Sequence, residues 1–285
     1  MTLMPRCLTL LALLLSPVAV LQAQAVPSDS AIHAILSARI DSARTMGIVV
    51  GITENGKRRY IWHGTAGPGR APLGAHTLFE IGSITKTFNA LLLADAVVRG
   101  DVRLDTPVAD LLEGRAVPAH ASGPITLELL ATHRSGLPRL PTNLQPATVN
   151  DPYVDYDTTR LYGFLRSYAL PRAPGTMAEY SNLGAGLLGH ALVRRSGAAS
   201  WTAMVQDRIL GPLRMRETFV SVPPGERARM AGGDGGLQCI RAEAAPELLG
   251  PGECVEAAPD EHTVPARAVL IEQQHGFALG VDPGR

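Results

Sequence analysis

The chain has almost no lysine: of its 26 basic residues only Lys57 and Lys86 are lysines, and the rest are arginines. Cysteine is nearly as scarce, with three in 285 residues, Cys7, Cys239 and Cys254. So few cysteines exclude a disulfide framework, and their spacing does not fit a zinc site; whether Cys239 and Cys254 pair is left open. The eight histidines form no His-x-His or His-Glu-x-x-His arrangement, which argues against a zinc hydrolase. Formal net charge is zero, so the electrostatic footprint of a nucleic-acid binder is missing. No serine sits in a G-x-S-x-G elbow, which argues against an ordinary α/β-hydrolase.

The N-terminus is the one strongly apolar stretch. Met1 to Arg6 is a short basic start, Cys7 to Val20 is apolar, and Ala23-Gln24-Ala25 is a small-x-small cleavage site. This reads as a secretory signal peptide over residues 1–25, cut before Val26, and predicts a secreted or periplasmic protein. The apolar run is shorter than the roughly 18 residues a membrane span requires, and no later segment is long enough. The remainder is enough chain for one or two domains.

Local signals along that remainder are distinct. Ser28 is placed to cap a helix carrying Ile32, Ile35, Leu36 and Ile40. Gly47 to Thr53 and Lys57 to His63 flank Glu54-Asn55-Gly56, and an Asn-Gly pair between β-rich runs predicts a hairpin. A helix follows Ser83, with Ile84, Phe88, Leu91, Leu92 and Val98 as its apolar side and Gly100 as its stop. Further helices are predicted from Thr126 to a Gly136 stop, after Asp157, from Asn182 to Arg195 and from Ser200 to Leu210. The proline- and asparagine-bearing loop from Pro138 to Asp155 is long enough to border a site. A helix and a hairpin followed by a mainly helical stretch predict an α/β (α+β) core with a helical subdomain.

Two short patterns bear on chemistry. Ser83-Ile84-Thr85-Lys86 opens the apolar helix, and the i, i+3 spacing puts the hydroxyl and the amine on one face. Arginine stays protonated at any useful pH, whereas a desolvated lysine takes a proton from a nucleophile. The positive end of a helix favours an alkoxide beside it. A plainer account makes Ser83 a helix cap and Lys86 a surface charge. Tyr180-Ser181-Asn182 lies 97 residues beyond Ser83; read alone, Tyr180 is an interface residue and Asn182 a cap. Gly184-Ala185-Gly186-Leu187-Leu188-Gly189 fits G-x-G-x-x-G, but without the preceding strand and following acid of a dinucleotide site. Close helix packing accounts for it better. His133 and His190 read as packing or hydrogen-bonded residues instead of metal ligands.

In company, the blocks are more specific. FEIGSITKTFNALLLADAV, GDVRLDTPVADLL, ITLELLATHRSGLP, PGTMAEYSNLGAGLLGHAL and ILGPLRMRETF occur in the order found in the class C β-lactamase and D-alanyl-D-alanine carboxypeptidase family, which the chain resembles over roughly residues 30–225. The resemblance implies a β-lactamase/transpeptidase-like fold, an antiparallel sheet with flanking helices and a helical subdomain. It implies Ser83 as the acylated nucleophile and Lys86 as the proton acceptor beside it. It makes Tyr180 the second general acid/base and Asn182 the residue that orients a substrate amide. Which of Lys86 and Tyr180 deprotonates the serine stays open. No cofactor or metal is implied, and the expected substrate is a β-lactam, a peptidoglycan peptide ending in D-Ala-D-Ala, or a small ester. The sequence is silent on oligomeric state.

The resemblance stops short of the C-terminus. The family's third motif is Lys-Thr-Gly or His-x-Gly; no lysine follows Lys86, and neither His262-Thr263-Val264 nor His275-Gly276-Phe277 supplies the second form. The strand that carries this motif normally gives one of two oxyanion N–H groups, and the last strands complete the sheet, so the hairpin is expected to lack neighbours. The chain therefore divides into the signal peptide (1–25), a serine-hydrolase-like domain (26–230) and an atypical tail (231–285), in which only Val264 to Glu272 looks regular. A truncation or reading-frame change near residues 231–238 is the expectation for such a break. A genuine tail on a divergent or non-catalytic member that binds cell-wall peptides is the alternative.

Overall fold

The computed structural model describes residues 26–41, 46–114, 117–146, 153 and 155–232, together with the strand backbone at 268–269. Helix α1 (Asp29–Asp41) is capped as predicted, with Ser28 Oγ accepting the Ala31 N–H at 3.2 Å. Strands β1 (Gly47–Glu54) and β2 (Lys57–Gly64) form an antiparallel hairpin in the register Gly47↔Gly64 to Glu54↔Lys57. Asn55 and Gly56 both take positive φ, 50° and 74°, as the predicted two-residue turn requires. The hairpin stands as a two-stranded sheet among the described residues. Such a ribbon is marginal alone, and α1 packs along it, with Arg59 on β2 paired to Asp29 on the helix at 2.9 Å.

A short strand, β3 (Phe79–Glu80), leads into the serine helix. The residue before it, Leu78, is held by the chain at Arg229 and Ala231. The Leu78 N–H donates to the Arg229 carbonyl at 2.9 Å, and the Ala231 N–H donates to the Leu78 carbonyl at 2.8 Å. On pairing, β3 runs parallel to β4 (Ala268–Val269), which lies inside the one tail segment that looked regular in sequence. Cys239, Cys254 and the rest of the 231–285 expectation beyond residue 232 lie outside the described residues, as do residues 1–25.

The larger core is helical. Helices α2 (Lys86–Val98), α3 (Leu127–Ala131), α4 (Thr158–Ser167), α5 (Asn182–Ser196) and α6 (Trp201–Val205) enclose it. At its centre is α5, buried from Leu183 to Val193. A helix buried on every side needs small residues where neighbours cross, and a Cβ at Gly189 would lie 3.0 Å from Asn89 Oδ1 and 3.1 Å from Trp201 Cδ1. The G-x-G-x-x-G pattern is thus a packing surface. Through that gap Asn89 of α2 ties the core together: its Nδ2 donates to the Ala185 carbonyl at 2.9 Å, and its Oδ1 accepts from Trp201 Nε1 at 2.6 Å.

Several expectations are corrected in detail. The apolar side assigned to α2 is only partly its inner side: Ile84, Leu91 and Val98 are exposed, Val98 by 87%, while Asn89, Leu92 and Leu93 are buried. Apolar residues surround this helix, so periodicity could not choose the face, and a buried asparagine carries no hydrophobic signal. The helix after Thr126 ends at Ala131 instead of running to Gly136, because His133 takes a left-handed φ of 58°. The cap of α5 is Ser181, not Asn182: Ser181 Oγ accepts the Gly184 N–H at 2.8 Å and donates to the Pro138 carbonyl at 2.7 Å. The stretch to Leu210 continues as a π-turn, Gln206–Leu210. The other caps and stops stand, with Asp157 capping α4 and Gly100 closing α2 at φ 75°.

Two stability outcomes follow. Asn89→Ala removes a buried donor and a buried acceptor together, and should cost about 2–5 kcal/mol in urea denaturation. Ser181→Ala loses a cap and its tie to Pro138, and should cost about 1–2 kcal/mol by the same measurement.

Candidate active site

Serine 83 lies in a single 3-10 turn, Gly82–Thr85, that runs directly into α2. Among the described residues the hydrogen bonds of Ser83 Oγ go to side chains, Lys86 and Tyr180, and not to a backbone N–H of the helix start. Its hydroxyl faces along the helix start, where Lys86 Nζ donates to Ser83 Oγ at 3.0 Å. The same Oγ is hydrogen-bonded to the hydroxyl of Tyr180, which lies just before α5. Lys86 Nζ also stands 4.7 Å from the centroid of the Tyr180 ring. Ser83, Lys86 and Tyr180 are therefore one contact triad, joined across 97 residues of sequence.

The two lysines have different surroundings. Lys57 is exposed at the hairpin end, whereas Lys86 is half-buried with its amine turned to a hydroxyl and a ring. Among the described residues no carboxylate pairs with Lys86. An ammonium there is held by a phenol face and a serine, and a cation on an aromatic face is stabilised electrostatically.

Tyr180 reaches Ser83 because Ser181, buried at 1% exposure, pins the next residue to Pro138 and to α5. Asn182 then occupies the first turn of α5, with its N–H donating to the Arg139 carbonyl at 3.0 Å. Its side chain does not touch the triad by hydrogen bond. Among the described residues Asn182 Oδ1 is buried without a hydrogen-bond partner, an acceptor left over two residues from Tyr180. Buried acceptors of this kind are costly unless something donates to them. The N-termini of α2 and α5, of 13 and 15 residues, both bear residues of the site, so their positive ends suit developing negative charge.

Two residues at the site were not singled out in the sequence as belonging to it. The His133 ring lies against that of Tyr180, with centroids 4.7 Å apart, and its Nδ1 accepts the Ser181 N–H at 3.1 Å. Burial, and after it the charge of Lys86, push the His133 imidazole below its ordinary pKa. Arg139 places its guanidinium carbon 5.2 Å from the Tyr180 centroid. Neither contact has a sequence signal, because both residues sit in the irregular chain after α3. The described residues contain no cluster of His, Cys, Asp and Glu fit to hold a metal ion, and no helix among them is long and apolar enough to cross a membrane.

Comparison with known proteins gives this geometry a context. Residues 32–267 match the family model described as Beta-lactamase. A β-lactamase of Escherichia coli (strain K12) is 32% identical over 203 residues, 71% of this chain and 51% of that protein. The D-alanyl-D-alanine-carboxypeptidase/endopeptidase AmpH of the same strain is 31% identical over 190 residues, 65% of this chain and 48% of its own length. Among solved structures, a class C β-lactamase from Rhodobacter sphaeroides is similar at TM-score 0.60 and 37% identity, over 72% of this chain and 55% of that one. A β-lactamase/D-alanine carboxypeptidase from Yersinia pestis, complexed with citrate, gives TM-score 0.62 at 25% identity, over 73% of this chain and 61% of the other. The chain spans about half the length of the curated relatives it matches. With its family-model match and its β-lactamase/transpeptidase-like fold, the chain belongs to the Beta-lactamase family.

Proposed function

We propose that the chain is a serine hydrolase that works through an acyl-enzyme on Ser83, with a β-lactam, a D-Ala-D-Ala peptide or a small ester as substrate. The observation that carries this reading is the double contact at one oxygen: Ser83 Oγ meets both Lys86 Nζ and the Tyr180 hydroxyl. A serine hydroxyl is a weak nucleophile until a neighbour takes its proton, and here two candidate acceptors are already in reach. The relatives' names, β-lactamase and D-alanyl-D-alanine-carboxypeptidase/endopeptidase, supply the substrate classes.

In the proposed reaction Ser83 Oγ bonds to the substrate carbonyl carbon and its proton passes to Lys86 or Tyr180. The carbonyl–leaving-group bond then breaks, and the held proton goes to the departing nitrogen or oxygen. Water attacks the Ser83 ester, giving its proton to the same pair, and the acid is released as Ser83 recovers its hydrogen. The unpaired Oδ1 of Asn182 suits an amide N–H of the substrate, which would satisfy that buried acceptor. No metal or cofactor takes part in these steps. A secretory signal at residues 1–25 puts the enzyme outside the cytoplasm, where these substrates occur.

The test is an intact mass spectrum after incubation with a fluorophosphonate probe. One adduct is expected on the native chain and none on Ser83→Ala. Lys86→Met, which keeps the length of the side chain without its amine, should slow labelling about 10²–10⁴-fold. A soluble, folded native chain that takes no adduct overturns the reading in favour of a non-catalytic binder of cell-wall peptides.

A further inference from the structure

His133 holds the chain around Tyr180 at two points. Its carbonyl accepts the Glu179 N–H at 2.8 Å, and its Nδ1 accepts the Ser181 N–H at 3.1 Å. Tyr180 is thus bracketed by main-chain donors that both end on one residue, while the imidazole lies against its ring, tilted by 36°. To do this His133 adopts a φ of 58°, a left-handed conformation that non-glycine residues seldom take. We propose that His133 is the positioning residue of Tyr180, holding its phenol at Ser83 only while the imidazole is neutral; the inference rests on the acyl-enzyme reading above.

The charge requirement follows from the hydrogen bond. Nδ1 receives an N–H, so in the neutral ring the proton is on Nε2, and a second proton must go onto Nδ1. That proton would point at the Ser181 N–H and break the bond. The charged groups nearby do nothing to offset the loss. Lys86, from α2, is a cation whose charge opposes protonation. The Glu179 carboxylate, on the segment before α5, is engaged by Arg172. Arg134, next in sequence to His133, is turned to the Gly175 carbonyl, and Arg139, from the following loop, lies over Tyr180. Acidification therefore loosens the segment that carries Tyr180.

The sign follows from linkage. The folded-state value is lowered below the unfolded value of about 6.5. The stability attached to a neutral His133 is then fully present above about pH 6.5 and is lost as pH falls through the lowered value. The test measures the rate of fluorophosphonate labelling of Ser83 between about pH 5 and pH 8 in the native chain, in His133→Asn and in His133→Phe. Asparagine accepts the left-handed backbone but does not titrate; phenylalanine keeps a stacked ring but cannot accept the Ser181 N–H. The native rate should fall on the acid side with a midpoint below about 6.5. Both variants should lose that limb and label up to about 100-fold more slowly at pH 8, with melting curves showing that they are folded.

An acid limb of unchanged midpoint in either folded variant overturns the proposal. If the native chain is not labelled at all, ring NMR signals of carbon-13 tyrosine, with Tyr180 identified through Tyr180→Phe, decide separately. A Tyr180 signal that follows the His133 titration and ceases to do so in His133→Asn upholds the positioning role while the acyl-enzyme reading fails. A Tyr180 signal that ignores pH overturns the positioning role as well.

Discussion

The contact between α2 and α5 is the constraint on which the rest depends. One helix begins at Lys86, straight after the turn that holds Ser83, and the other at Asn182, one residue beyond the Ser181 that follows Tyr180. Their separation fixes whether the serine and the phenol meet. It is set by Gly189, where an added Cβ would crowd Asn89 and Trp201, and by Asn89, which bonds to both α5 and α6. A polar side chain inside an apolar core is costly unless each atom is paired. Here the pairing also specifies one register, since a slide of α2 would break both bonds at once.

The site draws on this rigidity in layers. The contact triad itself is exposed enough for a substrate to reach, with Tyr180 at 36% exposure, yet the residues that hold it are buried. Ser181 fastens the start of α5 to Pro138, and the Arg139 carbonyl takes the N–H groups of both Asn182 and Leu183. The loop after α3 is therefore a scaffold for the opposite wall of the cleft, and His133 is where that scaffold meets the tyrosine. Preorganised groups of this kind would suit the proposed acyl transfer, since little reorganisation would remain for the reaction step.

Short-range features were legible from residues alone. The Asn55-Gly56 turn, the caps at Ser28, Thr126 and Asp157, and the stop at Gly100 depend on a few neighbouring backbone groups, and the structure has each of them. The scarcity of lysine sets Lys86 apart, and helical spacing alone puts it on the same side as Ser83. The errors arose where a choice depended on partners far along the chain. Ile84, Leu91 and Val98 are as apolar as Leu92 and Leu93, and only the position of α5 decides which are covered. Ser181 and Asn182 are both good caps, and the carbonyl of Pro138 favours the serine.

By itself, then, the sequence determined the local elements, the order of the family's blocks and the pairing of hydroxyl and amine on one helical face. All of these follow from interactions within a few residues. The tertiary structure decided that Tyr180 meets Ser83, that Asn182 keeps an unpaired acceptor beside it, and that His133 lies under the phenol. The hydrogen bonds of His133 with Ser181 and of Ser83 with Tyr180 span 48 and 97 residues and turn on side-chain approach of a few ångströms. Periodicity and propensity carry no information at that range; helix-on-helix packing supplies it.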